Sequence, residues 1–413
     1  MMSRKLLKAV LGGAVLGSAA VISALPSTAT AKTADGKYLI YLSLSYSGNN
    51  WQDEAANIVK ALAATPPYDK TVELKEVISG VDPQAQISAY ESMIQAGADA
   101  IISWPIGPTA LNRVIRQGCK QGVKFFMYDG TVTEPCAYNI SYITSGPGEN
   151  TAQYLVNVLD GKGKIFMARG VPGNSVDERH YRGAKYIFDQ YPGIKVVDTY
   201  YGRWDNAVNQ KETAAALAAH PDVDGIWSED GEFGALQAMI DAKRIVPLVG
   251  GTTNGFRLAL LNPDLVKKGL KGATSYSAPA QSGYTFKLMM QILTGKTKLA
   301  PGNYQYPLPW ANQDELKMCK GGDFVDGCNT LPEGVVPNGF IDASLDSTFL
   351  PEINVQAVLT GKPVPGKTIQ PLPEPLLGKA PNMPGLNCDK CKAEPAADMY
   401  KLTEVKPTVA PGK

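Results

Sequence analysis

Histidine is almost missing from this chain: His180 and His220 are the only two in 413 residues. A histidine-based catalytic triad or a histidine-rich metal centre therefore has too few members. His220, in AAHPDVDG, closes a helical stretch ahead of a proline, where an imidazole suits a helix C-terminus. The phosphate-binding Gly-Lys-Ser/Thr loop, the Gly-x-Ser-x-Gly nucleophile turn and the His-Glu-x-x-His zinc helix are also missing. So is an excess of charge. Forty Lys and Arg face 39 Asp and Glu, a formal +1, too little to draw the chain to nucleic acid or anionic lipid. The expectation is a protein that is not an enzyme, needs no cofactor and has no nucleic-acid partner.

Long apolar runs are confined to the start. Arg4, Lys5 and Lys8 precede a small and apolar run from Ala9 to Leu25, and Ala29-Thr30-Ala31 supplies the small-x-small pattern of a cleavage site. Residues 1–31 read as a secretory signal peptide, which makes the periplasm of a two-membrane bacterium the expected compartment. Loss of those three basic residues leaves a formal charge of −2. A mature chain of about 380 residues exceeds what one core usually holds, so two domains are expected.

Six cysteines in an exported protein suggest disulfides. They fall into sequence-local pairs, Cys119 with Cys136, Cys319 with Cys328 and Cys388 with Cys391, although six cysteines allow about 15 connectivities and proximity alone selects these. Cys388-x-x-Cys391 also has redox spacing, or could share a zinc ion with Cys319 and Cys328, but it lies in a proline-rich tail rather than at a strand-to-helix turn.

From Tyr38 to about Thr294, short β-branched or aromatic runs alternate with amphipathic segments. Strands are predicted at Tyr38–Leu44, Val72–Ile78, Ala100–Ser103, Val123–Tyr128, Lys164–Ala168, Lys195–Tyr200, Gly225–Trp227 and Val246–Val249. A helix is predicted over Pro83–Gln95, with an Asp82 cap and Pro83 in its first turn. This alternation specifies α/β architecture: two doubly wound parallel-sheet domains. The break falls near Gly146-Pro147-Gly148. Sixteen of the 30 prolines lie beyond Ala300, so an extended, surface-wrapped or partly disordered tail is expected, above all from Gly361.

Chemistry collects at the carboxyl ends of the predicted strands, where open parallel sheets bind ligands. Trp51 follows the first strand, Trp104 the third, Asp129 the fourth, Trp204 and Asp205 a strand of the second half, and Glu229 and Asp230 the next. Any one of the tryptophans could be core filling. Together, aromatic faces beside carboxylates and amides suit a polyhydroxylated ligand, whose C–H face stacks while its hydroxyls need directed partners. The acids and tryptophans also suit a cation. Asp129, before Gly130, could alternatively cap a local turn.

These stretches carry a family likeness. GNNWQDEA, DPQAQISAYESMIQAGADAIISWP, FFMYDG, GNSVDERHYRGAKYIF, HPDVDGIWSEDGEFGALQAM and PLVGGTTNG occur in order over Lys37 to Gly295, and the chain resembles the ribose-type periplasmic solute-binding proteins of ATP-driven importers. The resemblance implies the type I fold: two lobes joined by a three-stranded hinge near Thr144, Tyr276 and Tyr304. It implies an N-terminal lobe of 32–144 plus about 277–304, a C-terminal lobe of 145–276 plus about 305–350, and a proline-rich extension over 351–413. It further implies ligand contacts from Asn50, Trp51, Trp104, Asp129, Arg179, Trp204, Asp230, Thr252 and Ser277. The sequence departs from the pattern at Gly130, where many sugar binders have Arg after the Asp, and at Thr252, where Asp is common. It departs again at His180, where an Arg is expected and Arg179 stands one place off. The implied partners are a small ligand, sugar or polyol first, and a membrane permease, with the protein a monomer. A sensor input for a chemoreceptor or kinase, and an exported enzyme, are the rival classes.

Overall fold

The computed structural model describes residues 35–142, 146–322, 328–374, 376–377 and 405–412. Residues 1–31, expected to be a signal peptide, Thr144, and the Cys388/Cys391 pair lie outside the described residues. In chain order the strands are β1 (Tyr38–Leu44), β2 (Val72–Ile78), β3 (Ala100–Trp104), β4 (Lys124–Tyr128), β5 (Tyr138–Ser141), β6 (Lys162–Arg169), β7 (Gly193–Tyr201), β8 (Gly225–Ser228), β9 (Leu248–Gly250), β10 (Gly272–Thr274), β11 (Gly302–Gln305) and β12 (Ala311–Asn312). They form two sheets of six, ordered β11-β5-β4-β3-β1-β2 and β12-β10-β9-β8-β6-β7. Every pairing is parallel except β12 against β10.

One permutation thus occurs twice. In each sheet the strand order reverses between the first and third strands of the lobe, and such a reversal leaves a crevice above the carboxyl ends. The strands flanking it are β1 and β3 in one lobe, β6 and β8 in the other. β1 is buried at all its positions, because helices cover both faces of a parallel sheet, and this explains its near-continuous apolar run. β5, β10, β11 and β12 were not among the predicted strands, since they are short and carry glycine or polar residues such as Asn139, Ser141, Gly272, Asn303 and Gln305.

After β10, residues 275–279 return the chain to the first lobe, where the helix Ala280–Leu293 packs on the helix Asn50–Ala63. Gly283 permits that close approach: a Cβ there would lie 2.6 Å from Ile58. Residues 306–310 then lead from β11 to β12 in the second lobe. One more crossing follows. On the second-lobe side, the Asn254 N–H donates to the Phe340 carbonyl at 2.8 Å, the Asp342 N–H to the Thr252 carbonyl at 3.0 Å, and Arg257 pairs with Asp342 at 3.4 Å. On the first-lobe side, Glu54 accepts from the Ile341 N–H at 3.0 Å and from the Ser344 hydroxyl.

Residues 346–374 are folded onto the first lobe. The buried Lys287 pairs with Glu352 at 2.8 Å and donates to the Phe349 carbonyl at 2.6 Å. The proline-rich extension opens as a helix, Val355–Thr360, on the helix Asn50–Ala63, and Leu372 and Leu377 are buried further along. Residues 405–412 reach the other lobe, where the Tyr191 hydroxyl donates to the Val409 carbonyl at 3.1 Å and the Gly412 N–H to the Gln190 carbonyl at 2.9 Å. The tail therefore touches both lobes.

Burial holds the Glu54 carboxyl well above its usual range; the Ser344 and Ile341 donors oppose this and the nearby Asp342 and Asp230 add to it. A carboxyl raised in this way binds its proton more tightly folded than unfolded, so its contribution to stability falls as pH rises above the unfolded value. Glu54→Gln supplies a neutral side chain of the same shape. The melting temperature of Glu54→Gln minus that of the parent is expected to be larger at pH 8 than at pH 5, and a flat difference would mean that the Glu54 carboxyl is not raised in the fold.

Two disulfides are present among the described residues, Cys119–Cys136 and Cys319–Cys328, as sequence proximity suggested. The first spans 17 residues at the edge of the first lobe, a loop whose closure stabilises by about 3 kcal/mol in a chain-entropy account. The double replacement Cys119→Ser/Cys136→Ser is expected to cost about 2–4 kcal/mol and to leave ligand affinity unchanged, as read by melting curves and titration calorimetry.

Candidate functional site

The two lobes meet through the first helix cap of each. Asn49, after β1, accepts from the Gln52 N–H at 2.9 Å, and its side-chain amide donates across the crevice to the Trp204 carbonyl at 3.2 Å. Asn174, after β6, accepts from the Val176 N–H at 2.8 Å and donates across to the Ile106 carbonyl at 3.1 Å. The two asparagines occupy equivalent places in the repeated topology. Trp104 and Trp204 meet edge to face, with ring centres 6.1 Å apart, and Arg179 donates from Nη2 to the Asp129 carbonyl at 3.2 Å. These contacts narrow the crevice to a small cavity of about 10 Å³.

Trp51, Trp104, Trp204 and Tyr276 wall the cavity, with Asp129, Asp230, Asn49, Gln52 and Val176 completing the lining. Each indole N–H is engaged by the protein. Trp51 donates to the Ser277 carbonyl at 2.8 Å, Trp104 to Asp129 Oδ2 at 2.7 Å and Trp204 to Glu229 Oε2 at 2.9 Å. The rings are fixed in orientation, and their faces and edges are what the cavity receives. The Asp129 Oδ1, Gln52 Oε1 and Tyr276 hydroxyl are buried without a hydrogen-bond partner. Buried polar atoms of this kind are costly unless something pairs with them.

The backbone is strained where the side chains matter. Asp129, Arg203 and Trp204 have φ of 60°, 57° and 56°, a left-handed conformation that costs non-glycine residues energy and that gathers at functional sites. Gly170 lies against the Trp204 ring, and a Cβ there would come within 2.1 Å of it. Gly170→Ala should therefore dislodge the indole and weaken ligand binding by about tenfold or more, a cost of about 1–3 kcal/mol for overpacking, in calorimetric titration. An unchanged affinity would detach Trp204 from the site.

Burial raises the acids of the site. Asp129 is raised by desolvation and held back chiefly by the Trp104 N–H and by Arg179. Asp230 is pushed well up by burial and by the adjacent Glu232. Glu229 is pushed well up by burial and by Asp177, which is itself bound to Arg169 at 2.6 Å. His180 is held well below its usual value by burial and by Arg179, lying against Tyr142 and Tyr276. Carboxyl oxygens in such a site accept from ligand hydroxyls, as hydroxyl recognition requires.

Of the residues singled out in the sequence, Trp51, Trp104, Asp129, Trp204 and Asp230 line this one cavity. Trp51 stacks on Tyr128 with centres 6.3 Å apart, and Trp104 is the indole that faces Trp204. Asn50 lies outside the cavity, on an adjoining chamber; its neighbour Asn49 is the cap and the lining residue. Arg179, Thr252 and Ser277 stand one layer back. Arg179 holds the Asp129 carbonyl, the Thr252 carbonyl accepts from Asp342, and the Ser277 carbonyl accepts from Trp51. The turn-cap alternative for Asp129 does not hold: Oδ2 takes the Trp104 indole and Oδ1 has no partner. Asn49, Gln52, Val176 and Tyr276 were missed. Asn49 was within reach, because the residue just before a helix is the one whose side chain turns back on it.

The fold and site define a two-lobed α/β protein with an aromatic cavity between the strand ends of its halves. The model for a periplasmic binding protein domain matches residues 40–297, and the chain belongs to that family, whose members are solute-binding proteins and not enzymes. It is 29% identical over 201 residues to a xylitol-binding protein of Mycolicibacterium smegmatis, covering 47% of this chain and 57% of that protein. It is 25% identical over 182 residues to the ribose import binding protein of Bacillus subtilis, covering 43% and 59%. The matches thus span less than two thirds of those relatives. Among solved structures, an ABC transporter solute-binding protein from Thermobispora bispora superposes with a TM-score of 0.61 at 24% identity, over 81% of this chain and 98% of that one, a likeness of fold. No helix of the described residues is long and apolar enough to cross a membrane.

Proposed function

We propose that this chain is the substrate-binding protein of an ABC-type importer, capturing a neutral polyol or sugar between its lobes in the periplasm and presenting the closed form to a membrane permease. The observation that carries the reading is the convergence of Trp51, Trp104 and Trp204 with Asp129 and Asp230 on one cavity between the lobes. Flat rings take the C–H faces of the ligand, and the carboxyls and the Gln52 oxygen take its hydroxyls. Relatives that are a xylitol-binding protein and a ribose import binding protein support the same class. Hinge closure about a ligand is the motion of such proteins, and one two-lobed chain suffices as a monomer.

A cationic metabolite is the second reading, favoured by one observation: no Lys or Arg lines the cavity, while two acids do. The readings separate by pH. A cation binds best to ionised carboxylates, so its affinity should rise with pH through the raised range of Asp129 and Asp230, whereas a neutral polyol gains nothing from that ionisation. Thermal-shift titration with xylitol, ribose and tetramethylammonium at pH 6 and pH 8 tests both. A ligand at 100 times its dissociation constant should add about 2.7 kcal/mol. If tetramethylammonium alone shifts the melt, and more at pH 8, the polyol reading falls.

A further inference from the structure

Residues 338–346, which lie beyond the 40–297 that the family model matches, pass from one lobe to the other with bonds at both ends. On the second lobe they run along the start of the helix Asn254–Leu260: the Gly255 N–H donates to the Asn338 carbonyl at 2.9 Å, and Thr253 and Ile341 form an antiparallel bridge. The Thr252 carbonyl and Arg257 hold Asp342 there. On the first lobe the anchor is Asp346. Its Oδ2 accepts from the Tyr306 hydroxyl at 2.6 Å, and the Tyr306 N–H donates to the Ser141 carbonyl at the end of β5 at 2.9 Å. Gly339 and Ile341 also wall the chamber that Asn50 and Trp51 line from one lobe and Trp204 and Asp205 from the other. The segment therefore stands where the lobes face each other.

Little chain separates the two anchors. Asp346 is four residues beyond Asp342, and Asp342–Ser344 are wound into one 3₁₀ turn. Glu54, buried on the first helix, keeps that turn wound by accepting from the Ile341 N–H at 3.0 Å and from the Ser344 hydroxyl. A 3₁₀ helix rises about 2.0 Å per residue, whereas a fully extended chain spans about 3.3–3.6 Å per residue. Drawing out the turn therefore yields about 5–6 Å over the four residues, and the link can give no more while its anchors hold.

We infer that residues 338–346 are a strap that limits how far the lobes can part, with the slack for opening wound into the Asp342–Ser344 turn and Glu54 as the catch that holds it wound. Opening beside the strap first breaks the Glu54 bonds to Ile341 and Ser344, then draws the turn straight, and then stops at the anchors on Thr252 and Tyr306. The ligand-free protein is thereby kept near its closed form. Closing on a ligand then costs less, because part of the ordering is already done. That consequence for affinity rests on the ligand-binding reading given above; the limit on opening does not.

The test measures the distance between the lobes in the full mature chain without ligand, by pulsed electron paramagnetic resonance between spin labels on Val81→Cys in the first lobe and Lys211→Cys in the second, both exposed positions. Eight glycine and serine residues inserted between Ala343 and Ser344 lengthen the link while leaving both anchors in place. The insertion is expected to move the distance distribution outward by about 5 Å or more relative to the parent. Glu54→Ala frees the turn without lengthening the chain, and should move it in the same direction by no more than about 5–6 Å. An insertion variant that folds, as its melting curve reports, and keeps the parent distance overturns the inference; if the insertion does not fold, an unchanged distance in Glu54→Ala does so. Calorimetry with xylitol and ribose then reads the consequence, a several-fold weaker affinity in the insertion variant for whichever of them the parent binds. If the parent binds neither, the carbohydrate reading falls, and the distances still decide the strap.

Discussion

Asp129→Ala is expected to weaken ligand binding by more than tenfold. The carboxyl is 3% exposed, held by the Trp104 indole through one oxygen and offering the other, unpartnered, at the cavity. A hydrogen bond to a charged group contributes about 1.5–3 kcal/mol, and each 1.4 kcal/mol is a factor of ten. The alanine also orphans the Trp104 N–H, a buried donor whose loss of partner costs about 1–3 kcal/mol, so the ligand-free protein should melt somewhat lower. Asp129→Asn separates the charge classes. Its oxygen can still accept from Trp104 while its amide faces the ligand, so a neutral polyol should lose only a few-fold and a cation far more. Titration calorimetry on both variants, with melting curves beside it, reads the result. Unchanged affinity in both would remove Asp129 from the site.

Trp204→Ala should have an effect of similar size by a different route. The ring is 6% exposed, packs edge to face on Trp104 of the other lobe, and sits on a backbone held at φ 56°. Truncating a buried tryptophan costs about 3–5 kcal/mol. Part of that burial exists only when the lobes are closed, because Trp104 and the ligand supply it. The share charged to closure should appear as a loss of affinity on the order of a hundredfold, taking a little over half of that cost. Trp204→Phe keeps a stacking face but not the Glu229 bond, and should recover much of it. If the alanine variant instead binds normally and melts far lower without ligand, Trp204 is a packing residue of its lobe.

The alternation of β-branched runs with amphipathic segments was sufficient for the α/β class and for most strands, because that period is a local property of the chain. The positions after strand ends also pointed to the site. Trp51, Trp104, Asp129, Trp204 and Asp230 could be named in advance since in a doubly wound sheet the carboxyl ends share one edge whatever the details of packing. Local chemistry could not say which atoms face the ligand. Asn49 rather than Asn50 turns into the cavity because the cap is fixed by where the helix starts, and Trp204 faces Trp104 because two lobes close on each other. Tyr276 joins the wall only once the chain has returned between the lobes. The wall at Gly339 and Ile341 was invisible in the proline-rich composition of its surroundings. It is held by Glu54 and Thr252, 287 residues away in one case, and contacts over such separations exist only after the lobes and the tail have packed together.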